Sequence, residues 1–285
     1  MTSNFDTSDR NAQKGGDFVP RLAMINDIAG FGRCSTTVSL PVISVMKVQV
    51  CPVPTSVLSN HLGFPLCHFD DYTSHMRDYI KVWGELGLTF DGLYCGFLGN
   101  EEQIDIVREF VEMFRPPLFL LDPVMGDHGR AYSSITETHV QKMKELLPLA
   151  DIITPNLAEA EVLTGMKITT REEMEKAAKV LSDKLPSTVG IVIKGGHLDD
   201  TADDLLYVGG ENHWINGKRI DNPNTHGTGC TFSSAIACNL ALTSDKVQAV
   251  TNAKEYLAGA IAAKLDLGKG SGPLMHNYKI VEKDI

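Results

Sequence analysis

The chain has 285 residues, of which 43% are hydrophobic and 22% are charged, as in an ordinary globular protein. Its formal net charge of −10 at pH 7 argues against a nucleic-acid-binding protein. The sequence has no run of about 18 apolar residues that would span a membrane, and its polar start lacks a signal core. The six cysteines form no C-x-x-C pair, which favours reduced thiols in a cytoplasmic protein.

Short apolar runs alternate with helical patterns along most of the chain. Predicted strands cover 21–26, 48–53, 92–96, 118–121, 151–154 and 190–194, with a polar loop at 55–63 and a β-hairpin within 203–220. Predicted helices cover 36–46, 70–86, 101–114, 135–147, 156–163, 170–185, 229–243 and 246–264. This order predicts an α/β fold with a doubly wound, mostly parallel central sheet flanked by helices.

The sequence predicts a tail followed by one domain. Residues 1–19 are polar and have almost no periodicity, which predicts a disordered tail. The sequence from 20 to 285 has neither an internal repeat nor a linker pattern, so we expect one domain there.

A glycine-rich stretch directly precedes the helix predicted at 229–243. Gly227 and Gly229 bracket Thr228, so the backbone can approach a ligand closely. The free N–H groups of a first helical turn favour an anion, which predicts a phosphate-binding loop. Cys230 lies in that turn, where we expect the same field to favour its thiolate. The alternative is a glycine-rich turn before an ordinary helix, with a buried cysteine.

Polar residues follow the predicted strands, where a parallel sheet binds its ligands. These residues are Asp27, the segment 59–61, Asp122, the segment 154–156 and Lys194. Together with an anion-binding loop, they supply carboxylates for a metal ion and hydrogen-bond donors for phosphates. Enzymes that transfer a phosphoryl group need both. Each also has a structural explanation, because Asp122 before Pro123 could start a turn and Glu159 could complement a helix dipole.

Two other nucleotide-binding motifs can be tested on the sequence. A Walker A loop is absent, which excludes that kind of NTPase. Gly30-Phe31-Gly32 is close to a dinucleotide fingerprint, but the acidic residue that would hold the ribose is missing, since no Asp or Glu lies between Ile28 and Phe69.

Four motifs resemble the ribokinase superfamily and, within it, the pyridoxal/pyridoxamine kinases of vitamin B6 salvage. The resemblance runs from about Arg21 to near the C-terminus, and the second and third motifs are its most specific part. The first motif is the pair Asn26-Asp27-Ile28-Ala29-Gly30-Phe31-Gly32-Arg33 and Leu58-Ser59-Asn60-His61. The other three are Asp122-Pro123-Val124-Met125-Gly126-Asp127, Asp151-Ile152-Ile153-Thr154-Pro155-Asn156-Leu157-Ala158-Glu159, and Gly227-Thr228-Gly229-Cys230.

The resemblance implies a role for each candidate residue. Gly227, Thr228, Gly229 and Cys230 would hold the transferring phosphoryl group, with Cys230 as the base. Asp122 and Glu159 would arrange Mg²⁺ and the ATP phosphates, and Thr154, Asn156 and Lys194 would line the nucleotide. Asp27, Ser59, His61, Leu62 and Phe97 would contact the substrate ring. The family further implies a homodimer and a monovalent cation, K⁺ or Na⁺.

Four positions depart from the pyridoxal kinase pattern. Cys230 replaces the more common aspartate, as in hydroxymethylpyrimidine kinases and the pyridoxal kinases that resemble them. Asp27 stands where many pyridoxal kinases have serine, and Leu62 and Phe97 replace a threonine and a tyrosine. The resemblance therefore implies an ATP-dependent kinase of the 5′-hydroxymethyl group of pyridoxal, pyridoxamine or pyridoxine. The alternatives are a hydroxymethylpyrimidine (phosphate) kinase of thiamine synthesis and a non-catalytic vitamin-binding protein.

Overall fold

Nine strands form one sheet through the protein in a computed structural model that describes residues 19–127, 130–131, 135–196, 198, 201–222, 226–263 and 272–278. The tail expected at 1–19 lies outside the described residues, except for Val19. Within the described part of the chain, no helix is both long enough and apolar enough to cross a membrane.

The elements follow the predicted alternation of strands and helices. The strands are β1 (Arg21–Phe31), β2 (Gln49–Asn60), β3 (Phe69–Asp71), β4 (Gly92–Cys95), β5 (Phe119–Leu121), β6 (Gly126–Asp127), β7 (Arg130–Ala131), β8 (Ile152–Ile153), β9 (Gly190–Ile193), β10 (Asp204–Val208) and β11 (Glu211–Ile215). The helices are α1 (Ser35–Val45), α2 (Thr73–Glu85), α3 (Glu101–Phe114), α4 (Glu137–Leu146), α5 (Leu157–Thr164), α6 (Arg171–Ser182), α7 (Thr228–Leu242) and α8 (Lys246–Ala262).

The strand order is β11-β10-β9-β8-β5-β4-β1-β2-β3. The six strands from β9 to β2 in this order run parallel to their neighbours, whereas β3, β10 and β11 are antiparallel. Strands β6 and β7 form a separate two-stranded ribbon. The predicted α/β fold with a mostly parallel sheet is confirmed, including the hairpin that turns at Gly209-Gly210.

Helices cover both faces of the sheet. Alternate residues of each strand face opposite sides, so each strand contributes to two cores. In β1, Leu22 and Met24 pack into the core that contains residues of α1, α7 and α8. Ala23 and Ile25, on the other face, pack into the core that contains residues of α2 to α6. The runs of consecutive apolar residues in the sequence are therefore the signature of strands that are buried on both sides.

Helix α3 illustrates how local sequence sets the ends of an element. The Asn100 side chain accepts hydrogen bonds from the backbone N–H groups of Glu102 and Gln103, at 3.0 and 3.1 Å. At the other end Arg115 takes a left-handed conformation, with φ of 44°, before two prolines. The observed bounds match the predicted helix at 101–114.

The structure corrects the predictions for β1 and β2, which are longer than expected. Their parallel pairing continues to Phe31 and Asn60, so Asp27 and Ser59 lie inside strands and not in loops that follow them. Pro52 and Pro54 are tolerated in β2 because β3 pairs only with residues 56–58, which leaves the proline segment a single partner strand. The helix predicted from residue 70 begins at Thr73, since the preceding residues form β3.

Candidate active site

Five side chains meet where the parallel strands end, and we call them the edge cluster: Asp122, Thr154, Glu159, Lys194 and Ser233. Asp122, Thr154 and Lys194 directly follow β5, β8 and β9. The Lys194 ammonium donates to Asp122 Oδ1 at 2.9 Å, and the Ser233 hydroxyl donates to Asp122 Oδ2 at 2.9 Å. The Thr154 and Ser233 hydroxyls are 2.9 Å apart. Asp122 is only 1% exposed, so it is not a simple turn residue.

Ser233 is a member of the edge cluster that the sequence reasoning missed. It lies one helical turn beyond Gly229, so α7 presents both residues on the same side. Ser233 follows Gly229 by four residues, and this spacing could have identified it as a site residue. The small residues around it favoured its interpretation as part of a closely packed helix.

Glu159 belongs to both a helix cap and the edge cluster. Its backbone N–H donates to Asn156 Oδ1 at 2.9 Å, and its Oε2 accepts from the Asn156 N–H at 2.7 Å, which is a complete capping box. Its Oε1 accepts from the Met125 N–H at 3.3 Å. Glu159 is 3% exposed, so its carboxylate is buried and does more than complement a surface dipole.

The edge cluster holds two carboxylates against one lysine. Burial raises the pKa of Glu159 to about 8, with Lys194 opposing the rise and Asp122 adding to it. Burial by itself lowers the pKa of Lys194, but the fields of Asp122 and Glu159 more than reverse this, so the pKa lies above its usual value. A bound cation would favour the ionised form of Glu159, so a proton and a metal ion compete for this carboxyl group.

This donor set fits Mg²⁺. Magnesium is commonly held through one or two carboxylates, with substrate phosphates and water completing its oxygen ligands. Asp122 and Glu159 supply such carboxylates. In the described ranges no group of three or more His, Cys, Asp or Glu side chains is placed to hold a metal ion.

The glycine loop leads into α7 beside Lys194. Gly227 has φ of 81°, and a Cβ there would lie 2.7 Å from the Arg33 carbonyl oxygen, so only glycine fits. A Cβ at Gly229 would lie 3.6 Å from Lys194 Nζ, which is an ordinary van der Waals contact. Among the described residues, which leave out 223–225, no side chain caps the first turn, which begins at Thr228. Its N–H groups are thus placed next to the edge cluster as a potential anion site.

The pKa of Cys230 contradicts the expectation that the field of the helix favours its thiolate. Burial raises the pKa of Cys230 to about 12, and the Asp122 and Asp27 carboxylates add to the rise. The Ser35 N–H and the Lys194 ammonium act in the opposite direction but do not compensate. In the ligand-free protein Cys230 is therefore a thiol at neutral pH.

Asp27 lies in β1 at a break in the pairing register between Asn26 and Ile28. It is 5% exposed, and its Oδ1 has no hydrogen-bond partner among the described residues. Burial raises the pKa of Asp27 to about 6. Such a buried, unsatisfied oxygen is the kind of acceptor that a ligand can complete.

Of the other predicted ring-contacting residues, Ser59, His61 and Leu62 lie at the end of β2, and Phe97 follows β4. The His61 ring stacks on His226, which directly precedes Gly227, with 3.8 Å between the ring centroids. Phe97 is 7% exposed, and its N–H donates to Asn26 Oδ1 at 3.0 Å. Leu62 is 43% exposed, and the Ser59 hydroxyl donates to Asn60 Oδ1 at 2.7 Å, within its own segment.

A cavity of about 660 Å³ lies between β11 and α8, and no sequence motif indicates it. It is lined by Trp214, Gly217, Lys218, Lys254, Glu255 and Ala258 among others. Asp204 connects it to the edge cluster, since its Oδ2 accepts from Lys254 at 2.7 Å and its Oδ1 accepts from the Gly195 N–H, directly after Lys194, at 2.9 Å.

The raised pKa of Glu159 predicts how stability changes with pH in metal-free buffer. Because the folded state binds a proton more tightly than the unfolded state, this stabilisation is present below about pH 4.5 and is lost as the pH rises through about 8. Replacing Glu159 by Gln removes the ionisation. The unfolding free energy of Glu159→Gln minus that of the wild type should therefore increase from pH 5 to pH 9, by at most about 1.4 kcal/mol per unit.

Glu173→Gln is the matched control for urea denaturation at each pH. Glu173 closes the capping box of α6 as Glu159 closes that of α5, but its carboxylate is solvent-exposed and its pKa is lowered by a hydrogen bond from Thr169. Its difference from the wild type should not change over this pH range. The same flat response for Glu159→Gln would show that Glu159 is already ionised in the folded state.

The chain is similar to known kinases in sequence and in structure. The phosphomethylpyrimidine kinase family matches residues 87–275. A hydroxymethylpyrimidine/phosphomethylpyrimidine kinase of Streptomyces coelicolor is 39% identical over 205 residues, which are 72% of this chain and 74% of the relative. These relatives carry the name of the pyrimidine kinases and not of the pyridoxal kinases.

Solved structures are similar over a larger part of the chain. A candidate phosphomethylpyrimidine kinase from Bacteroides thetaiotaomicron, crystallised with pyridoxal, has a TM-score of 0.81 and 34% identity, covering 92% of this chain and 96% of its own. Pyridoxal kinase from Staphylococcus aureus in complex with ADP has a TM-score of 0.82 and 26% identity, covering 92% and 95%. On the family match and these similarities, the chain belongs to the phosphomethylpyrimidine kinase family and is an ATP-dependent kinase of the type that phosphorylates an alcohol group.

Proposed function

We propose that the protein transfers the γ-phosphoryl group of ATP to the 5′-hydroxymethyl group of a B6 vitamer, namely pyridoxal, pyridoxamine or pyridoxine. The observation that carries this proposal is the convergence of the Asp122–Lys194 pair, Glu159 and the uncapped first turn of α7 at one sheet edge. Such an edge offers positive charge, N–H donors and metal-binding oxygens to a polyphosphate.

In this mechanism the thiolate form of Cys230 accepts the proton of the substrate hydroxyl and becomes the thiol. The hydroxyl oxygen then forms a bond to the γ-phosphorus while the bond to the β–γ bridging oxygen breaks, and ADP leaves. The N–H groups of residues 227–230 and the Lys194 ammonium stabilise the charge on the transferring group. Mg²⁺ held by Asp122 and Glu159 would neutralise phosphate charge, with Thr154 and Asn156 lining the same side.

The cavity between β11 and α8 is proposed as the site for the adenosine part of the nucleotide. Its volume of about 660 Å³ lies within the usual range for small-molecule sites. Asp204 joins Lys254 in the cavity wall to the backbone next to Lys194, so a bound nucleotide could reach from the cavity to the edge cluster.

Two substrates remain in competition because two observations favour different rings. The Bacteroides thetaiotaomicron structure with pyridoxal favours the pyridine ring of a B6 vitamer. The sequence relatives named as hydroxymethylpyrimidine/phosphomethylpyrimidine kinases favour the pyrimidine ring with equal weight. Both rings carry a hydroxymethyl group, so the same transfer chemistry serves either substrate.

A homodimer is the assembly that we propose. Apolar side chains at the edge of the sheet that ends in β3 are exposed, among them Leu66 at 84%, Phe69 at 41% and Val57 at 41%. A second copy of the chain would cover such a patch. The cytoplasmic location and the monovalent cation stay predictions from the sequence.

The role of Cys230 predicts a large loss of turnover on its removal. Cys230→Ala should lower kcat by about 10²-fold or more, because general-base contributions are typically of this size or larger. Cys230→Asp should recover part of the rate, since a carboxylate occupies this position in most members of the resembling superfamily. Steady-state ADP release at saturating substrate measures both.

Cys238→Ala, at a buried cysteine of the same helix, is the control and should keep kcat. Since the pKa of Cys230 is about 12 without ligands, wild-type kcat/KM should increase with pH, and Cys230→Asp should show a smaller increase. A near-normal kcat in Cys230→Ala would make Cys230 a packing residue.

The substrate can be assigned with one ADP-release panel of pyridoxal, pyridoxamine, pyridoxine and hydroxymethylpyrimidine. We expect turnover of the B6 vitamers, with a preference for pyridoxamine because the unsatisfied Asp27 carboxylate can pair with its amine. Asp27→Ser should reduce that preference by about tenfold.

Turnover of hydroxymethylpyrimidine alone would contradict the vitamer assignment, and binding without any turnover would favour a vitamin-binding protein. An equal loss for all vitamers in Asp27→Ser would mean that Asp27 supports the structure.

The homodimer predicts a mass in light scattering of twice the 31.1 kDa of one chain. Leu66→Asp should shift the protein towards the monomer because it places a charge in the apolar patch. Leu242→Asp is the control, as Leu242 is 57% exposed at the end of α7. A wild-type monomer at micromolar concentration would contradict the assembly.

A further inference from the structure

The segment 272–278 packs beside the glycine loop, and we call it the closing segment. Pro273 pairs in an isolated parallel bridge with His226, the residue directly before that loop. The Arg33 guanidinium donates to the Leu274 carbonyl oxygen at 3.3 Å. The closing segment therefore lies against the loop that is proposed to hold the transferring phosphoryl group.

His276 is the residue of the closing segment that contacts α7. It is 2% exposed, and its Nε2 lies 3.0 Å from the Thr231 hydroxyl oxygen. This is the only hydrogen bond of the ring to the described residues, among which Nδ1 has no partner. The backbone of His276 is fixed separately, because its carbonyl oxygen accepts from the Tyr256 hydroxyl of α8. The N–H of Met275 also donates to the Ala260 carbonyl oxygen of α8, at 3.3 Å.

The direction of the bond between His276 and Thr231 follows from a second hydrogen bond. The Thr231 hydroxyl donates to the Gly227 carbonyl oxygen at 2.8 Å, and a carbonyl oxygen can only accept. A hydroxyl has a single proton, so in the other bond the ring must donate from Nε2–H to the Thr231 oxygen. Burial and the nearby Arg33 charge lower the pKa of His276 to about 4, so the ring is neutral at neutral pH and carries its proton on Nε2.

These two hydrogen bonds end on the peptide unit that joins Gly227 to Thr228. The Thr231 N–H donates to the same Gly227 carbonyl oxygen, at 2.9 Å. Because a peptide unit is planar and trans, the direction of this carbonyl group sets the opposite direction of the Thr228 N–H. Gly227 has no Cβ to restrict its backbone, so its φ of 81° is one of several conformations open to it. The orientation of the Thr228 N–H therefore depends on what holds the Gly227 carbonyl group.

A threonine in a helix often bonds the carbonyl group four residues earlier, so the Thr231 bond by itself is ordinary. The unusual feature is the buried ring of His276, which keeps the Thr231 hydroxyl directed at the loop. We propose that His276 is a positioning residue of the kinase reaction, which fixes the peptide unit after Gly227 so that the Thr228 N–H is aligned with the transferring phosphoryl group. This inference rests on the proposed function, because that function assigns the glycine loop to the phosphoryl group.

His276→Leu and His276→Gln test the Nε2–H donor. Leucine fills the space without a donor, so the Thr231 hydroxyl is no longer directed, and we expect kcat to fall by about tenfold or more. KM for ATP should change by less than about twofold, because the loop acts on the transferring group. Glutamine offers an N–H near the position of Nε2 and should recover most of the rate. Steady-state ADP release measures both variants.

His139→Leu is the matched control. His139 is also a buried histidine, and neither ring nitrogen has a hydrogen-bond partner among the described residues. It lies on α4, which packs on the opposite face of the sheet, so this variant should keep the wild-type kcat. A His276→Leu enzyme that keeps kcat within about twofold would overturn the proposal. A His276→Gln enzyme that is no more active than His276→Leu would overturn it as well, since His276 would then only fill space.

A double-mutant cycle with Thr231→Val tests whether the two side chains act together. Valine keeps the shape of threonine but removes the hydroxyl. In the double variant two apolar side chains face each other, so the pair leaves no buried polar group without a partner. The double variant should lose no more kcat than the slower single variant, because both changes interrupt the same pair of hydrogen bonds. Losses that multiply would show independent effects and would overturn the proposal.

A measurement without turnover distinguishes failure of this inference from failure of the proposed function. In protein labelled with ¹⁵N-histidine, long-range ¹H–¹⁵N correlation spectra show which ring nitrogen carries the proton. The His276 signal, identified as the one that His276→Gln removes, should show the Nε2–H tautomer at neutral pH without ligands. The Nδ1–H tautomer or a charged ring would overturn the proposed hydrogen bonds, whichever substrate the wild type turns over. The Nε2–H tautomer in a wild type that turns over no compound of the substrate panel would contradict the proposed function, and the positioning role with it.

Discussion

The ion pair between Asp122 and Lys194 is the interaction on which the edge cluster depends. The two residues follow β5 and β9, which are separated by β8, and strands lie about 4.8 Å apart. A side chain as long as lysine is needed to cross the end of β8. Burying such a pair is costly unless further hydrogen bonds complete it, and Ser233 supplies one. Burial raises the pKa of the neighbouring Glu159 to about 8, so its carboxyl group is mostly protonated at neutral pH while no cation is bound.

The proposed base operates under opposing influences. Burial and two carboxylates keep Cys230 protonated in the ligand-free protein, whereas the Ser35 N–H and Lys194 act towards the thiolate. In a loose phosphoryl-transfer transition state the bond from the hydroxyl oxygen to phosphorus is only slightly formed, so little proton transfer to the base is needed at that point. A thiol that is only weakly ionised is therefore compatible with turnover. Bound Mg²⁺ would also offset the field of Asp122.

On the proposed substrate side of the site, a side chain lies so close to the backbone at the end of β1 that only glycine fits there. A Cβ on Gly32 would lie 2.3 Å from the His61 ring, so a glycine there lets the ring rest against the end of β1. From that position His61 stacks on His226 and connects β2 to the glycine loop. In the proposed function this region, together with Asp27, would discriminate between a pyridine and a pyrimidine ring, and the similar proteins carry names from both groups.

The sequence by itself determined the alternation of strands and helices, the ends of α3 through its cap and prolines, and the motif residues that follow β5, β8 and β9. These features follow from local signals, because capping, turn preference and apolar periodicity act over a few residues. Only the tertiary structure decided the full length of β1 and β2, the place of Ser233, the cavity beside α8 and the direction of the Cys230 pKa. Each of these depends on contacts between distant parts of the chain, such as the bond between Asp122 and Ser233 across 111 residues. Burial and pairing of that kind are properties of the packed fold, and no local pattern encodes them.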